Sequence, residues 1–487
     1  MLTRSFLDPE ASKTLLAYTP MLHSRLFKET AKFRDVHFQP TKDSLLGHNP
    51  SSCTPWLDGN PKIDRPLFVQ FCSNNPEDLL DAARYVVPYC DAVDLNLGCP
   101  QGIARTGHYG AFLQEDWSLI YKLINKLHKE LSVPVTAKFR ILETKERTLE
   151  YAKLILSAGA SIITVHGRRR EQKGHNMGIA DWTIIKYLRD NLPPETVIFA
   201  NGNILNRSDL QPCLDATGAD GVMSAEGNLS DPTIFAIPPL PGRSVRDYWR
   251  GRQGQEGYRI DAVIRRYLDI IYRYVLEKEP PYRPPLFLPS DPLDCADQHT
   301  MQKHDGNDVE PPKKKRKRNG QGKIASPSLK AMQGHLFQIL RPIVSTHIDI
   351  RDALAKCRVG DMDGFERVLT MIEAAMKEAL LEDALKGGED ESTVEAGKDE
   401  FSGEKSTNRP ATANYKRPWW ICQPYIRPLP EEALESGALT ASKKERAKMK
   451  KDGDEKGIVQ DNGVENTQEK TTDLSRTEFP KEALVCG

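Results

Sequence analysis

A few short stretches of this chain hold residues suited to redox and acid–base chemistry. In Asn96-Leu97-Gly98-Cys99-Pro100 a cysteine follows an apolar run. Gly98 and Pro100 force a turn there, so the thiol is expected to project from a loop and not to pack in a core. A thiol of ordinary pKa, about 8.5, is mostly protonated at neutral pH and can serve as a general acid. The competing reading is a buried structural cysteine, the commoner fate of a lone Cys. Lys138 sits inside Val135-Thr136-Ala137-Lys138-Phe139-Arg140. A lysine in an apolar strand is costly unless it meets an anion or a strong acceptor. It contacts an electron-rich ring or a phosphate, or else it reaches solvent at a strand end. His166 closes Ile162–Val165 and precedes Gly167-Arg168; taken alone, it reads more readily as a hydrogen-bonded core residue. Asn201-Gly202-Asn203 and Ala225-Glu226-Gly227 are turns able to hold a phosphate on backbone N–H groups. Asn-Gly is also an ordinary turn.

These groups act together only if a scaffold gathers them. Leu15–Tyr18, Leu67–Phe71, Ala92–Leu97, Val135–Phe139, Ile162–Val165, Val197–Ala200 and Gly221–Met223 are near-continuous apolar runs, which predicts fully buried strands. Glu77–Val87, Trp117–Leu131 and Leu149–Ala158 carry helical spacing between them, which predicts a parallel sheet with helices outside. Gln70, Asn96 with Cys99, Lys138 with Arg140, His166, Asn201 and Ser224 all fall at C-terminal strand ends. A (β/α)₈ barrel converges those ends on one site, whereas an open sheet spreads them along an edge. The absence of a G-x-G-x-x-G run favours the barrel, spanning 15–243.

A helical unit is expected from Ser244 to Leu385. Ile260, Val263, Ile264, Tyr267, Leu268, Ile271 and Val275 trace one apolar face, with Arg259, Arg265, Arg266 and Arg273 expected largely off it and exposed. Leu329, Met332, Leu336 and Leu340 open a second helical stretch. Pro280–Ser326 reads as a disordered insert. Its Lys313–Arg318 run of six basic residues resembles a nuclear-import signal; a phosphate-binding tether or a solvated charge run are the alternatives. A reporter fusion that stays cytosolic removes the import reading. After Leu385 the tail is expected to be disordered, apart from an aromatic island at Pro418–Ile426. Trp419 and Trp420 are expected to anchor that island on the body, with base stacking as the other use. The lysine-rich Lys443–Lys451 either adds non-specific RNA affinity or is a solvated helix face.

The bulk numbers set limits on function. The 487 residues imply about two or three units. With 68 basic and 68 acidic residues the formal charge is zero, so a globally basic nucleic-acid binder is excluded and any RNA contact must be local. Nine cysteines without a Cys-x-x-Cys pair argue for reduced thiols and against a metal module. No apolar run has the length of a membrane span, and Arg4, Asp8 and Glu10 argue against a secretory signal.

Taken together, Asp94–Gln114 (DLNLGCPQGIARTGHYGAFLQ), Val69-Gln70-Phe71, Thr136–Arg140, Thr164–Arg168, Gln172, Ala200–Ile204 and Gly221–Leu229 resemble the tRNA-dihydrouridine synthase family. Tyr18–His23, Gly98–Gln101 and Ser224–Asn228 are similar to its eukaryotic subfamily acting on D-loop uridines 16 and 17. The likeness is strong over Leu15–Ile237, looser to Leu385, and returns at Trp419–Pro428. It implies an FMN-binding TIM barrel followed by a helical tRNA-binding domain. It also implies reduction of the uracil C5–C6 double bond, with NADPH as reductant, hydride passing from flavin to C6 and Cys99 protonating C5. By resemblance Gln70, Asn96, Lys138, His166, Asn201, Gly202, Asn203, Ala225 and Glu226 contact FMN, and Asn96, Arg140 and Arg168 contact substrate. A monomer binding tRNA and NADPH in the nucleus or cytoplasm, without metal or membrane, is expected.

One departure is large. Family members begin the barrel with a strand ending in Ala-Pro-Met. Thr19-Pro20-Met21 looks like that motif, but its surroundings match the family's second strand. The expectation is a barrel lacking its first strand and helix, with 1–14 unmatched and an open seam. Either the chain is incomplete or something else fills the gap. The alternative function is then a catalytically impaired tRNA-binding protein; a flavin barrel acting on free pyrimidines is a third reading, disfavoured by the arginine-bearing helices. Arg169 also stands where the family usually has a small hydroxyl residue.

Overall fold

The computed structural model describes residues 1–42, 54–240, 245–251, 256–292, 326–386 and 417–429. Its centre is a curled parallel sheet. The strands are β1 (Ala17–Tyr18), β2 (Leu22–His23), β3 (Leu67–Cys72), β4 (Ala92–Leu97), β5 (Val135–Arg140), β6 (Ile162–His166), β7 (Val197–Asn201) and β8 (Gly221–Met223). They pair in the order β1-β3-β4-β5-β6-β7-β8, with β2 also on β3. Every residue of β3, β4 and β5 is buried, because helices cover the outer face and the curl closes the inner one.

β1 and β2 are two halves of one edge strand. β1 pairs with Leu67 and Phe68, and β2 with Phe71 and Cys72. Between them Pro20 has no N–H to give the ladder. Thr19 bridges the break: its N–H donates to the Phe68 carbonyl at 3.0 Å, and its hydroxyl accepts from the Gln70 N–H at 3.0 Å.

The curl is visible across the interior, where Tyr18 Oη of β1 lies 3.3 Å from Thr164 Oγ1 of β6. Among the described residues β1 and β8 do not pair, which leaves the expected open seam between them. The N-terminal turn Thr3–Phe6 spans its two sides. Thr3 Oγ1 donates to Asn228 Oδ1 beyond β8 at 3.0 Å, and Arg4 Nη2 donates to the Pro66 carbonyl ahead of β3 at 2.8 Å.

Helix starts are written into the sequence. Asn75 accepts from the Glu77 and Asp78 N–H groups and Pro76 fills the first position of Pro76–Val86. Asp116, Thr144 and Asp181 cap Trp117–Glu130, Lys145–Ser157 and Trp182–Asn191 in the same way.

A second core lies in the helical unit. Ile260, Val263, Ile264, Tyr267 and Leu268 of Ile260–Ile270 join a cluster with Met332 and Leu336 of Pro327–Ile339 and Phe365, Val368 and Ile372 of Met362–Lys386. Two expectations are corrected here. The arginines of this region are not a free basic face. Arg259 is buried against Asp261, Arg265 pairs with Glu373, and Arg266 pairs with Asp247 and covers the Phe6 ring; of the four, Arg273 is exposed. Carboxylates brought in from other segments capture them, which helical periodicity cannot foresee. Residues 280–292, expected to open the disordered insert, are ordered against the helices. Arg283 pairs with Asp269 and Glu366, Arg246 pairs with Asp291, and the Phe287 carbonyl accepts from Arg259, so 280–292 is fastened to the helices.

The aromatic island sits on this unit. The Ile260 N–H donates to the Trp420 carbonyl and the Cys422 N–H to the Tyr258 carbonyl, each at 2.9 Å. Trp420 meets Trp249 edge-on and Trp419 meets His347. The Lys313–Arg318 run, Lys443–Lys451 and the rest of the tail lie outside the described residues. No helix among the described residues is long and apolar enough to cross a membrane.

Candidate active site

The site grows from one buried carboxylate. Asp94 shares β4 with one other polar residue, Asn96, and is completely enclosed. Thr136 Oγ1 donates to its Oδ1 at 2.6 Å and Gln70 Nε2 to its Oδ2 at 2.8 Å. Burial pushes its carboxyl up to about 6, against the pull of Thr136, Gln70 and the Lys138 ammonium. Gln70 passes the connection on, since its Oε1 accepts from Asn96 Nδ2 at 2.8 Å. Asn96 Oδ1 then accepts from the N–H groups of Gly98 (3.0 Å) and Cys99 (2.9 Å). One chain of hydrogen bonds runs from the barrel interior to the cysteine turn.

Cys99 does not project freely, which corrects the expectation drawn from its turn residues. It is 1% exposed, in a small apolar cluster with Cys72, Ala104 and Tyr109, against which Met21 and Phe112 pack. The downstream segment folds back over it. Gly110 has φ +63°, and a Cβ there would stand 2.9 Å from the Cys99 carbonyl oxygen and 3.0 Å from the Cys99 Cβ. Only glycine allows that approach. Lys173 Nζ donates to the Pro100 carbonyl at 2.8 Å and ties a second loop over the turn.

β5 and β6 supply the cations. Lys138 is in register with Asn96 on one side and Thr164 on the other. Arg140 Nε donates to the Gly98 carbonyl at 2.9 Å, and its Nη1 donates to the carbonyls of Arg169 and Gln172. Arg140 therefore grips the cysteine turn as well as the loop after β6. Arg168 Nη2 donates to Asn203 Oδ1 at 2.6 Å and to the Gly178 carbonyl at 2.9 Å. Its Nη1 lies 3.2 Å from His166 Nε2. A guanidinium only donates, so Nε2 accepts and the ring proton is on Nδ1. Burial, with Arg140, Lys138 and Arg168 nearby, holds the imidazole well below the usual histidine range, so it is neutral.

The two candidate phosphate turns meet. Gly202 has φ +108°, and a Cβ there would lie 2.7 Å from the Ala180 Cβ and 3.0 Å from His166 Cδ2. Ser224 Oγ donates to the Ile204 carbonyl at 2.8 Å and accepts from the Asn228 N–H at 3.2 Å. That pair joins the turn after β7 to the turn after β8. Two buried polar atoms, His166 Nδ1 and Asn201 Oδ1, have no hydrogen-bond partner among the described residues. Buried polar atoms are rarely left so without a ligand or water to meet. A donor and an acceptor beside two phosphate-sized turns, among Lys138 and Arg168, fit a flavin mononucleotide.

The structure thus gathers Gln70, Asn96, Cys99, Lys138, Arg140, His166, Arg168, Asn201, Gly202 and Asn203 at one end of the sheet, with Ala225 and Glu226 at its rim. Asp94 and Gly110 were missed as working residues. Asp94 was readable, as an acid two places before Asn96 on the same strand face. A separate basic groove of about 750 Å³ lies between the N-terminal turn and Ile260–Ile270, lined by Arg4, Lys13, Lys62, Arg65, Arg266 and Arg273 among others. None of the strand-end residues lines it.

A curled parallel sheet with reactive side chains at its C-terminal strand ends defines a TIM-barrel enzyme. The family profile described as dihydrouridine synthase matches residues 3–242, and its match begins inside the stretch that we expected to be unmatched. The chain is 42% identical over 417 residues to a Schizosaccharomyces pombe protein named tRNA-dihydrouridine(16/17) synthase, covering 85% of this chain and 82% of that one. A Saccharomyces cerevisiae protein of the same name is 41% identical over 85% of this chain and 78% of its own. A Mus musculus protein, named as like that synthase, is 34% identical over 91% and 69%. The chain belongs to the dihydrouridine synthase family.

Proposed function

We propose that this protein is a tRNA-dihydrouridine synthase that reduces uridines 16 and 17 of the D-loop, using FMN with NADPH as reductant. The observation that carries the reading is the hydrogen-bond chain Asp94–Gln70–Asn96–Cys99, which fixes a thiol at the barrel end that also holds Lys138 and His166. Relatives whose names specify the 16/17 synthase and NAD(P)(+) support the substrate and the reductant. The reading as a non-catalytic RNA binder has no observation in its favour.

FMN, when bound, supplies the hydride that adds to uracil C6. Gln70, Asn96, Lys138 and His166 are the residues to hold its ring system, and Asn201, Gly202, Asn203, Ala225 and Glu226 its phosphate. Hydride addition to a double bond conjugated with a carbonyl leaves negative charge on the base. The Lys138 ammonium is a cation for such charge. Cys99 Sγ then gives its proton to C5, and the thiolate regains a proton from water once the product base has left. Its enclosure keeps water from competing for the carbanion. The target base must leave its stack to enter.

The test is Cys99→Ala. The variant is expected to retain reduction of bound flavin by NADPH, followed by its absorbance, while forming little dihydrouridine. Normal product formation overturns the proton-donor role. Mapping dihydrouridine on a tRNA checks the positions; product at other D-loop sites overturns the 16/17 assignment.

A further inference from the structure

The turn assigned to phosphate carries a charge that opposes phosphate. Glu226 follows Ala225 directly, and its carboxylate is an anion where a second anion must come close. The structure brings a counter-charge from the far end of the chain. Arg427 Nη2 lies 2.5 Å from Glu226 Oε1, and its Nε lies 3.4 Å from Oε2. The guanidinium thus meets the carboxylate at two points.

This contact is built, because every part of the segment behind it is fastened. Tyr425 stacks beneath Arg341, whose Cζ is 3.4 Å from the ring centroid, and Arg427 lies beside the same ring at 5.4 Å. Cys422 is buried in the helical core, and the backbone at Trp420 and Cys422 is hydrogen-bonded to Ile260 and Tyr258. Pro327–Ile339, which leads to Arg341, packs on Glu226–Ser230. From the barrel side Arg168 grips Asn203 in the neighbouring turn and feels the charges of both Glu226 and Arg427. Arg427 is the guanidinium in contact with the Glu226 carboxylate, and Arg168 and Arg341 feel its charge.

We propose that Arg427 is a positioning residue of the cofactor site, neutralising Glu226 so that the Ala225-Glu226 turn accepts the phosphate of a flavin mononucleotide. The C-terminal segment 417–429 is then a working part of the flavin site as well as an anchor for the tail. This rests on the flavin-dependent reading above.

The experiment uses the full chain, stripped of flavin and titrated with FMN and with riboflavin, which lacks the phosphate, by quenching of flavin fluorescence. Arg427→Gln is expected to weaken FMN binding roughly tenfold, the scale of one charge-assisted contact at a half-exposed site. Riboflavin binding is expected to stay unchanged, which also reports that the barrel is folded. Arg427→Lys is expected to keep most of the affinity, and Glu226→Gln in the Arg427→Gln background to restore it. Unchanged FMN affinity in Arg427→Gln, equal losses for FMN and riboflavin, or no recovery in the double variant each overturns the proposal. Failure of the unaltered chain to bind either flavin overturns the flavin-dependent reading itself.

Discussion

Removal of the Asn96 side chain asks whether hydrogen bonds or chain connectivity alone hold the cysteine turn. Asn96 makes three buried contacts, accepting from the Gly98 and Cys99 N–H groups and donating to Gln70 Oε1. Asn96→Ala orphans two donors and one acceptor. A buried polar group without a partner costs about 1–3 kcal/mol. One water entering the space left by the amide can satisfy two of the three. One orphan remains, so the net loss is about 2 kcal/mol, a sizeable part of a total stability of about 5–15 kcal/mol. Asn96→Asp separates the two arms: it keeps the acceptor for both amides but faces an oxygen to Gln70 Oε1. Gln70 cannot simply turn over, because its Nε2 already donates to Asp94. Denaturant unfolding of the flavin-free chain measures the stability, so lost flavin contacts do not enter the number. Mass-spectrometric thiol labelling reports whether Cys99 has left its enclosure. Asn96→Ala is expected to lose about 2 kcal/mol and to label faster at Cys99, with Asn96→Asp in between. An Asn96→Ala variant within about 0.5 kcal/mol of the unaltered chain, with Cys99 still protected, refutes the reasoning.

Two further predictions concern the same network. Gly110→Ala puts a Cβ against the Cys99 backbone at φ +63°, so it is expected to destabilise by about 1–3 kcal/mol and to speed thiol labelling of Cys99; a silent substitution counts against the tight lid. Asp94, raised to about 6 in the folded chain from about 3.9 unfolded, binds its proton more tightly when folded. Its share of stability is therefore present at low pH and is lost as pH rises from about 4 to about 6, by about 3 kcal/mol. Asp94→Asn is expected to flatten the pH dependence of unfolding in that window; an unchanged slope refutes the raised carboxyl. Asp58, pushed by burial up to about 7, adds a similar dependence that Asp94→Asn leaves in place.

The barrel was legible because its strands are buried on both faces and so appear as unbroken apolar runs. The strand-end residues were legible because a parallel barrel sends all C-terminal ends to one place. What could not be read was how much of each polar side chain is already spent. Arg140 and Arg168 looked like substrate contacts, yet their guanidiniums hold the carbonyls of Gly98, Arg169, Gln172 and Gly178. Cys99 looked like a projecting thiol, since Gly98 and Pro100 describe the turn but not the segment that returns over it. A turn is a local property; enclosure depends on Tyr109 and Gly110, and on Lys173 more than seventy residues away.

Arg427 shows the same limit at its furthest. It lies 201 positions from Glu226, inside a stretch whose two tryptophans drew attention to anchoring. Nothing in the spacing of that stretch marks an arginine as belonging to a barrel turn. The odd residue was Glu226, an acid in a turn suited to phosphate. A buried or half-buried charge of the wrong sign is a question about a partner, because leaving it unpaired beside an anion costs more than bringing a cation to it. The sequence could have posed that question at Glu226. Only the packing of Trp419, Trp420 and Cys422 on the helical unit, which carries Arg427 to the rim of β8, could answer it.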